Sequence, residues 1–313
     1  MKIGYIFPGQ GTQTVGMGKD LYEKYDEIKK VYKKVDEALG ENVESITYNI
    51  SQEELNETKN TQIAIYTMSM AILELLNKEG IKPNATAGLS LGEYSGLVCS
   101  NSISLEEGAK IVRKRGTFMQ ELAPSGDWLM SAIIGLEDEK IEEACTKVEN
   151  GFVRAVNYNC PGQVVVSGEK DAVLKAMEYA KEMGARKVIE LKTSGPFHTE
   201  KLQEASKALK TELEKIKFKE CEIPVIKNLN GEVYNENDDM VDVLATHVMS
   251  PVKFRKSIET MLSLGIDTFV EIGPGKTLSG FVKKVCKEKS IEANVINIEN
   301  VETFEKALEI LKI

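Results

Sequence analysis

Residues 85–92 read Ala85-Thr86-Ala87-Gly88-Leu89-Ser90-Leu91-Gly92. A short apolar run predicts a strand over 85–88, and residues from Gly92 to Val98 predict a helix. Between them lies Gly-x-Ser-x-Gly, the pattern of a serine on a sharp strand-to-helix turn. The flanking glycines leave room for the neighbouring strand and helix. The turn exposes Ser90 Oγ and aims helix N-terminal amides, that of Leu91 included, at negative charge developing beside it. Glycine and serine are common, so a glycine-rich turn with an idle serine stays open on this stretch alone.

Upstream, Ile3 to Phe7 reads as a buried strand ended by Pro8-Gly9-Gln10-Gly11. Ligands in open α/β sheets bind beyond the carboxyl ends of strands, so a Gln10 amide could join that of Leu91 in an oxyanion hole. Helices are expected over 18–35 and 61–76, and from the capping box at Ser104-Leu105-Glu106-Glu107 to about Leu122. Pro124-Ser125-Gly126-Asp127 breaks the chain. Residues 128–191 then read strand, helix, strand, strand, helix, strand, the ferredoxin-like order. A second break falls at Thr193-Ser194-Gly195-Pro196-Phe197-His198. Helices over 199–216, 240–248, 252–264 and up to Cys286, with strands over 224–229 and 268–272, complete the reading. Strands alternating with helices predict an α/β fold. Residues 1–123 and 194–313 would form a large subdomain, with residues 124–193 inserted as a small one.

A serine needs a base, and the chain of 313 residues holds only two histidines, His198 and His247. His247 falls inside an expected helix, where a structural role is the simpler reading. His198 ends a Gly/Pro loop, a favoured mounting for catalytic groups. No Asp or Glu stands out as a third member, which leaves a backbone carbonyl to orient the imidazole. Arginine is scarce, five against thirty-five lysines. Such a chain reserves arginine for places that need its planar fork. Arg115, before Gly116 in a helix, is suited to a carboxylate through two parallel hydrogen bonds, although a surface helix arginine is the plainer reading.

Composition trims the alternatives. Apolar residues make up 42% and charged residues 28%, enough for a sizeable core. A net charge of −9 argues against bulk nucleic-acid binding. Five scattered cysteines, with no Cys-x-x-Cys pair, fit reduced thiols in a cytoplasm. No stretch approaches the ~18 apolar residues of a membrane span.

Taken together, Gly9-Gln10-Gly11-Thr12-Gln13, Gly88-Leu89-Ser90-Leu91-Gly92-Glu93-Tyr94-Ser95, Arg115-Gly116-Thr117-Phe118-Met119-Gln120, Asn157-Tyr158-Asn159-Cys160-Pro161-Gly162-Gln163, Gly195-Pro196-Phe197-His198 and Glu271-Ile272-Gly273-Pro274-Gly275 resemble the ordered motifs of malonyl-CoA:acyl carrier protein transacylases. The resemblance covers nearly the whole chain. It implies an α/β-hydrolase-like large subdomain with a mostly parallel sheet and a ferredoxin-like insert. The implied activity is an acyltransferase of fatty-acid synthesis, moving malonyl from malonyl-CoA to the phosphopantetheine thiol of holo acyl carrier protein through a malonyl-serine. It implies Ser90 as nucleophile, His198 as general base and acid, and the amides of Gln10 and Leu91 as oxyanion hole. Arg115, Gln62, Met119 and Phe197 would bind substrate, with the Phe197 ring crowding an α-methyl group. No cofactor, metal, nucleic acid or membrane is implied, since malonyl-CoA is a substrate.

The chain departs from the family pattern twice. Leu89 stands where the family usually has histidine before the serine. His247 falls near a position usually held by glutamine, whose main-chain carbonyl orients the catalytic histidine. Because the carrier protein is also acidic in this resemblance, docking would need a local basic patch, and Lys283, Lys284 and Lys287 are its candidates. Two rivals remain on sequence grounds: an esterase-type serine hydrolase, and a non-catalytic carrier-binding module.

Overall fold

The computed structural model describes residues 1–192 and 195–312. Strand β1 (Ile3–Phe7) is buried along its whole length, as expected of a strand covered on both faces. Helices α1 (Lys19–Lys24), α2 (Asp26–Leu39), α3 (Val43–Tyr48) and α4 (Gln52–Asn56) lead to the long α5 (Thr58–Lys78). Strand β2 (Ala85–Gly88) feeds α6 (Gly92–Cys99), and α7 (Leu105–Glu121) follows. The capping box expected at Ser104 forms, with Ser104 and Glu107 closing on each other's backbone.

The next stretch runs β3 (Trp128–Ile134), α8 (Asp138–Thr146), β4 (Val153–Cys160), β5 (Gln163–Glu169), α9 (Lys170–Glu182) and β6 (Lys187–Leu191). The chain then makes a 3₁₀ turn at Glu200–Leu202 before α10 (Gln203–Leu213), β7 (Val225–Ile226) and α11 (Met240–Val248). It ends with α12 (Phe254–Ser263), β8 (Thr268–Ile272), α13 (Thr277–Lys289), β9 (Asn294–Ile298) and α14 (Val301–Leu311).

The strands form two sheets, a parallel one in the order β7-β2-β1-β8-β9 and an antiparallel one in the order β4-β5-β3-β6. Side chains alternate across the parallel sheet. Ile3, Tyr5 and Phe7 join the core made with α2, α5 and α7, whereas Ile6 and Phe269 join Phe254, Ile258 and Phe281 of α12 and α13 on the other face. The antiparallel sheet has a third cluster of its own with α8 and α9. Backbone bonds tie the two units together: Tyr158 N–H donates to Val252 C=O at 2.9 Å, and Val252 N–H to Val156 C=O at 2.7 Å.

The α/β class and the ferredoxin-like order are both present. Four readings change. The helix expected over 18–35 divides, because Tyr25 is extended (φ −116°, ψ 121°). The strand expected over 224–229 is two residues long. The helix expected from Thr199 opens as a 3₁₀ turn. Helices α3, α4 and α14 and edge strand β9 were not anticipated. The expected boundary between residues 193 and 194 lies outside the described residues. Among the described residues, no helix is long and apolar enough to cross a membrane.

Candidate active site

The turn after β2 holds Ser90 at φ 55°, the left-handed region, which disfavours residues with a Cβ. Its two glycines are sterically required. A Cβ on Gly88 would fall 2.0 Å from Gly92 C, and one on Gly92 would fall 2.2 Å from the Phe7 carbonyl oxygen. Nothing larger than hydrogen fits where β1, β2 and α6 meet.

His198 also lies at positive φ, 60°, and its Nε2 stands 2.8 Å from Ser90 Oγ. Its Nδ1 lies 3.1 Å from the His247 carbonyl and 3.2 Å from that of Ser250. Carbonyls only accept, so Nδ1 carries the proton and Nε2 is left to accept from Ser90. The residues round the ring thus select the tautomer a serine nucleophile needs. Burial first, then the Arg115 charge, pushes the imidazole down to about 4, against the two carbonyls that push it up. His198 is therefore neutral at pH 7.

Arg115 is fully buried. Its Nη2 donates to Ser90 Oγ at 2.9 Å and its Nη1 to Gln62 Oε1 at 2.7 Å. Gln62 is turned by a further contact, Nε2 to Met119 Sδ at 3.4 Å. The Tyr94 ring centre lies 5.7 Å from the guanidinium carbon. Among the described residues no carboxylate forms an ion pair with Arg115. Burial is the main force lowering its pKa. The nearby Tyr94 and buried Glu93 act against that burial without reversing it, and a buried cation with no close anionic partner is expensive.

A cleft of about 520 Å³ opens over these groups, between the two subdomains. Gln10, Gln62, Leu89, Ser90, Leu91, Met119, Phe197 and His198 line it from the large unit, and Asn157, Asn159 and Gln163 from the small one. It lies beyond the carboxyl ends of β1, β2 and β8. Arg115 sits beneath the lining and touches Ser90.

His247 is packed behind His198, with ring centres 5.1 Å apart. Its ring is fully buried, and neither nitrogen has a hydrogen-bond partner among the described residues. Burial first, then the charges of His198 and Arg115, holds its pKa well below the ordinary histidine value. The sequence residues Ser90, His198, Arg115, Gln62, Gln10, Leu91, Met119 and Phe197 thus converge, with His247 behind them. The structure adds the Ser250 carbonyl and the buried Asn228, neither of which carries a motif of its own.

The sequence matches the family described as Acyl transferase domain over residues 4–309. The malonyl CoA-acyl carrier protein transacylase of Bacillus subtilis (strain 168) is 42% identical over 313 residues, covering 99% of this chain and 98% of that protein. The crystal structure of malonyl CoA-acyl carrier protein transacylase from Clostridium perfringens superposes with a TM-score of 0.94 at 45% identity, covering 100% of this chain and 98% of that one. The chain belongs to the malonyl-CoA:acyl carrier protein transacylase family. Another transacylase structure, a malonyl-transacylase in complex with its type II PKS acyl-carrier protein, gives a TM-score of 0.93 at 33% identity, with 99% of each chain covered. Transacylase relatives of this length and fold match the chain from end to end, so both subdomains are family features.

Proposed function

We infer that this protein transfers malonyl from malonyl-CoA to the phosphopantetheine thiol of holo acyl carrier protein, supplying fatty-acid synthesis. The observation that carries the reading is Arg115: a buried guanidinium, with no carboxylate ion pair among the described residues, in hydrogen-bond contact with a histidine-paired serine. That arrangement asks for an acyl group ending in its own carboxylate.

The steps follow from the protonation states. His198 Nε2 takes the Ser90 proton as Oγ attacks the thioester carbonyl. The oxyanion is received by the Gln10 and Leu91 amides, a type of donor worth ~3 kcal/mol each in the transition state. Collapse breaks the C–S bond, and the imidazolium proton goes to the departing CoA sulfur. In the second half the carrier thiol gives its proton to His198 and attacks the malonyl-serine. Oγ leaves and recovers the proton. Gln62 orients Arg115, and Met119 and Phe197 shape the acyl pocket. Residues 1–123 and 194–313 supply nucleophile, base and guanidinium, and residues 124–193 supply the opposite wall. The reaction belongs in the cytoplasm, a reading supported by five free cysteines. Labelled malonyl-CoA with holo carrier protein, run beside acetyl- and methylmalonyl-CoA, tests the whole reading. Malonyl should transfer fastest, and release of free malonate at the transfer rate would instead mean a hydrolase.

Three smaller outcomes are expected. The rate of malonyl-serine formation should stay flat from neutrality to about pH 5. It should then fall tenfold per unit once pH drops below about 4, because protonation removes the base. The same shift acts on folding. A pKa lowered from 6.5 to about 4 gives stability that is whole above 6.5 and is lost as pH falls through that window. Rapid-mixing acylation across pH, with folding followed in parallel, checks both.

His247→Gln should change kcat by no more than about fivefold, the scale of ~1 kcal/mol of altered packing, because its main-chain carbonyl remains. A loss as large as that of His198→Ala would place the imidazole itself in the chemistry. Finally, α13 begins at the cleft with Thr277, Leu278 and Phe281. Lys283, Lys284 and Lys287 are exposed further along it. Glutamate at these lysines should raise KM for the carrier and flatten its salt dependence while leaving malonyl-serine formation alone. Unchanged carrier kinetics would move the docking surface elsewhere.

A further inference from the structure

The turn that carries Ser90 has a buried support whose role goes beyond the reaction just described. Strands β2 and β7 pair in parallel only at Thr86 with Val225 and Ala87 with Ile226. Past that point β2 stays paired with β1, at Gly88 with Phe7 and through Leu89 N–H to Phe7 C=O, but β7 has ended, so Gly88 C=O and Ser90 N–H have no strand partner, and buried backbone groups require one. The fully buried side chain of Asn228 fills both places. Its Oδ1 accepts from Ser90 N–H at 2.7 Å and its Nδ2 donates to Gly88 C=O at 2.6 Å. A primary amide places a donor and an acceptor on two separate atoms of one plane, whereas a hydroxyl must serve both roles from a single atom and an apolar group serves neither.

Asn228 is itself fixed. Its N–H donates to Glu93 Oε2 at 3.0 Å, and Tyr234 OH donates to Glu93 Oε1 at 2.5 Å. Glu93 is fully buried in the first turn of α6. The bonds therefore close a ring around the nucleophile, from the end of β2 through Asn228 and Glu93 to the helix that follows Ser90.

We propose that Asn228, oriented by Glu93 and Tyr234, is a positioning residue for acylation. By pinning the two peptides that precede Ser90, it holds that residue in its left-handed conformation, Oγ on His198 Nε2 and the Leu91 amide on the developing oxyanion. This rests on the assignment of Ser90 as nucleophile, not on the identity of the acyl group. A misplacement of ~1 Å costs on the order of 10²-fold in rate.

The test separates positioning from simple support of the fold. Competent sites are counted by the mass of malonyl-serine formed at saturating malonyl-CoA, and rates are expressed per competent site. Asn228→Ala should lower acylation on the order of 10²-fold with KM for malonyl-CoA within about threefold. Labelling of Ser90 by a fluorophosphonate should slow by a similar factor. Tyr234→Phe, which leaves both Asn228 bonds to the turn, should lose only several-fold, the scale of one neutral hydrogen bond. A wild-type rate per competent site in Asn228→Ala, with only melting temperature reduced, overturns the proposal. Should that variant not fold, Asn228→Ser decides: its Oγ stops one bond short of the two amide atoms, and a wild-type rate there is equally fatal. Wild-type protein that takes the fluorophosphonate at Ser90 but transfers no malonyl would refute the proposed substrate and leave the positioning role standing.

Discussion

Ser90→Ala leaves no malonyl adduct on the protein and lowers transfer on the order of 10⁴–10⁶-fold. The geometry explains both the size and the pattern of the loss. Ser90 Oγ is the point where His198 Nε2 and Arg115 Nη2 meet, at 2.8 and 2.9 Å. Without Oγ there is nothing for the base to deprotonate, and the amides over the cleft can lower the barrier only for water. His198→Ala should cost nearly as much, and the double variant little more than either single, because the pair acts as one unit. Intact-protein mass spectrometry after mixing with malonyl-CoA, and single-turnover transfer to carrier protein, read the two effects separately. Additive losses in the double variant would mean that the residues serve different steps.

Arg115→Ala should lower malonyl transfer on the order of 10²–10³-fold, the consequence of stranding a carboxylate in a buried pocket at ~3–5 kcal/mol. Acetyl-CoA brings no carboxylate. It should lose only the several-fold due to one hydrogen bond to Oγ, so preference for malonyl over acetyl should collapse. A second readout follows from charge. The Arg115 cation is one of the two causes holding His198 down at about 4, burial being the larger. Its removal should move the acid limb of acetyl transfer to higher pH while burial keeps it below the ordinary histidine value. Unchanged malonyl kinetics, or an acid limb that stays put, would refute the assignment.

The sequence made legible what local chemistry determines. The Gly-x-Ser-x-Gly turn, the Ser104 capping box and the alternation over 128–191 each carry their signal within a few residues. Distant contacts decided the rest. Apolar positions at Leu21, Ile28, Val31, Tyr32 and Val35 run on at helical spacing, with no glycine or proline between them. The helix nevertheless breaks at Tyr25, whose ring packs edge-on against Phe304 of α14, 5.6 Å away between centres. Strand β9 is only half buried at the sheet edge, so its alternation is faint. Asn228, in Lys227-Asn228-Leu229-Asn230-Gly231, has the composition of an ordinary turn. Its bond to Ser90 spans 138 residues and leaves no local trace. His247 was legible for its backbone, but its buried ring, with Nδ1 3.6 Å from Glu93 Oε2, was not.

The strand order has a bearing on how the chain is made. β1 lies between β2 and β8, and residues that meet across β1 and β8 are 265 positions apart. At ~5–20 residues per second, a ribosome needs roughly 13–53 s to deliver that partner. For that time one edge of the strand leading to Gln10 stays open, and an unpaired edge is a template for wrong pairing. The unit from β3 to β6 is continuous in sequence and has its own apolar cluster, so it can close while the larger sheet waits. The smaller lobe can therefore fold before β8 exists to close the larger sheet.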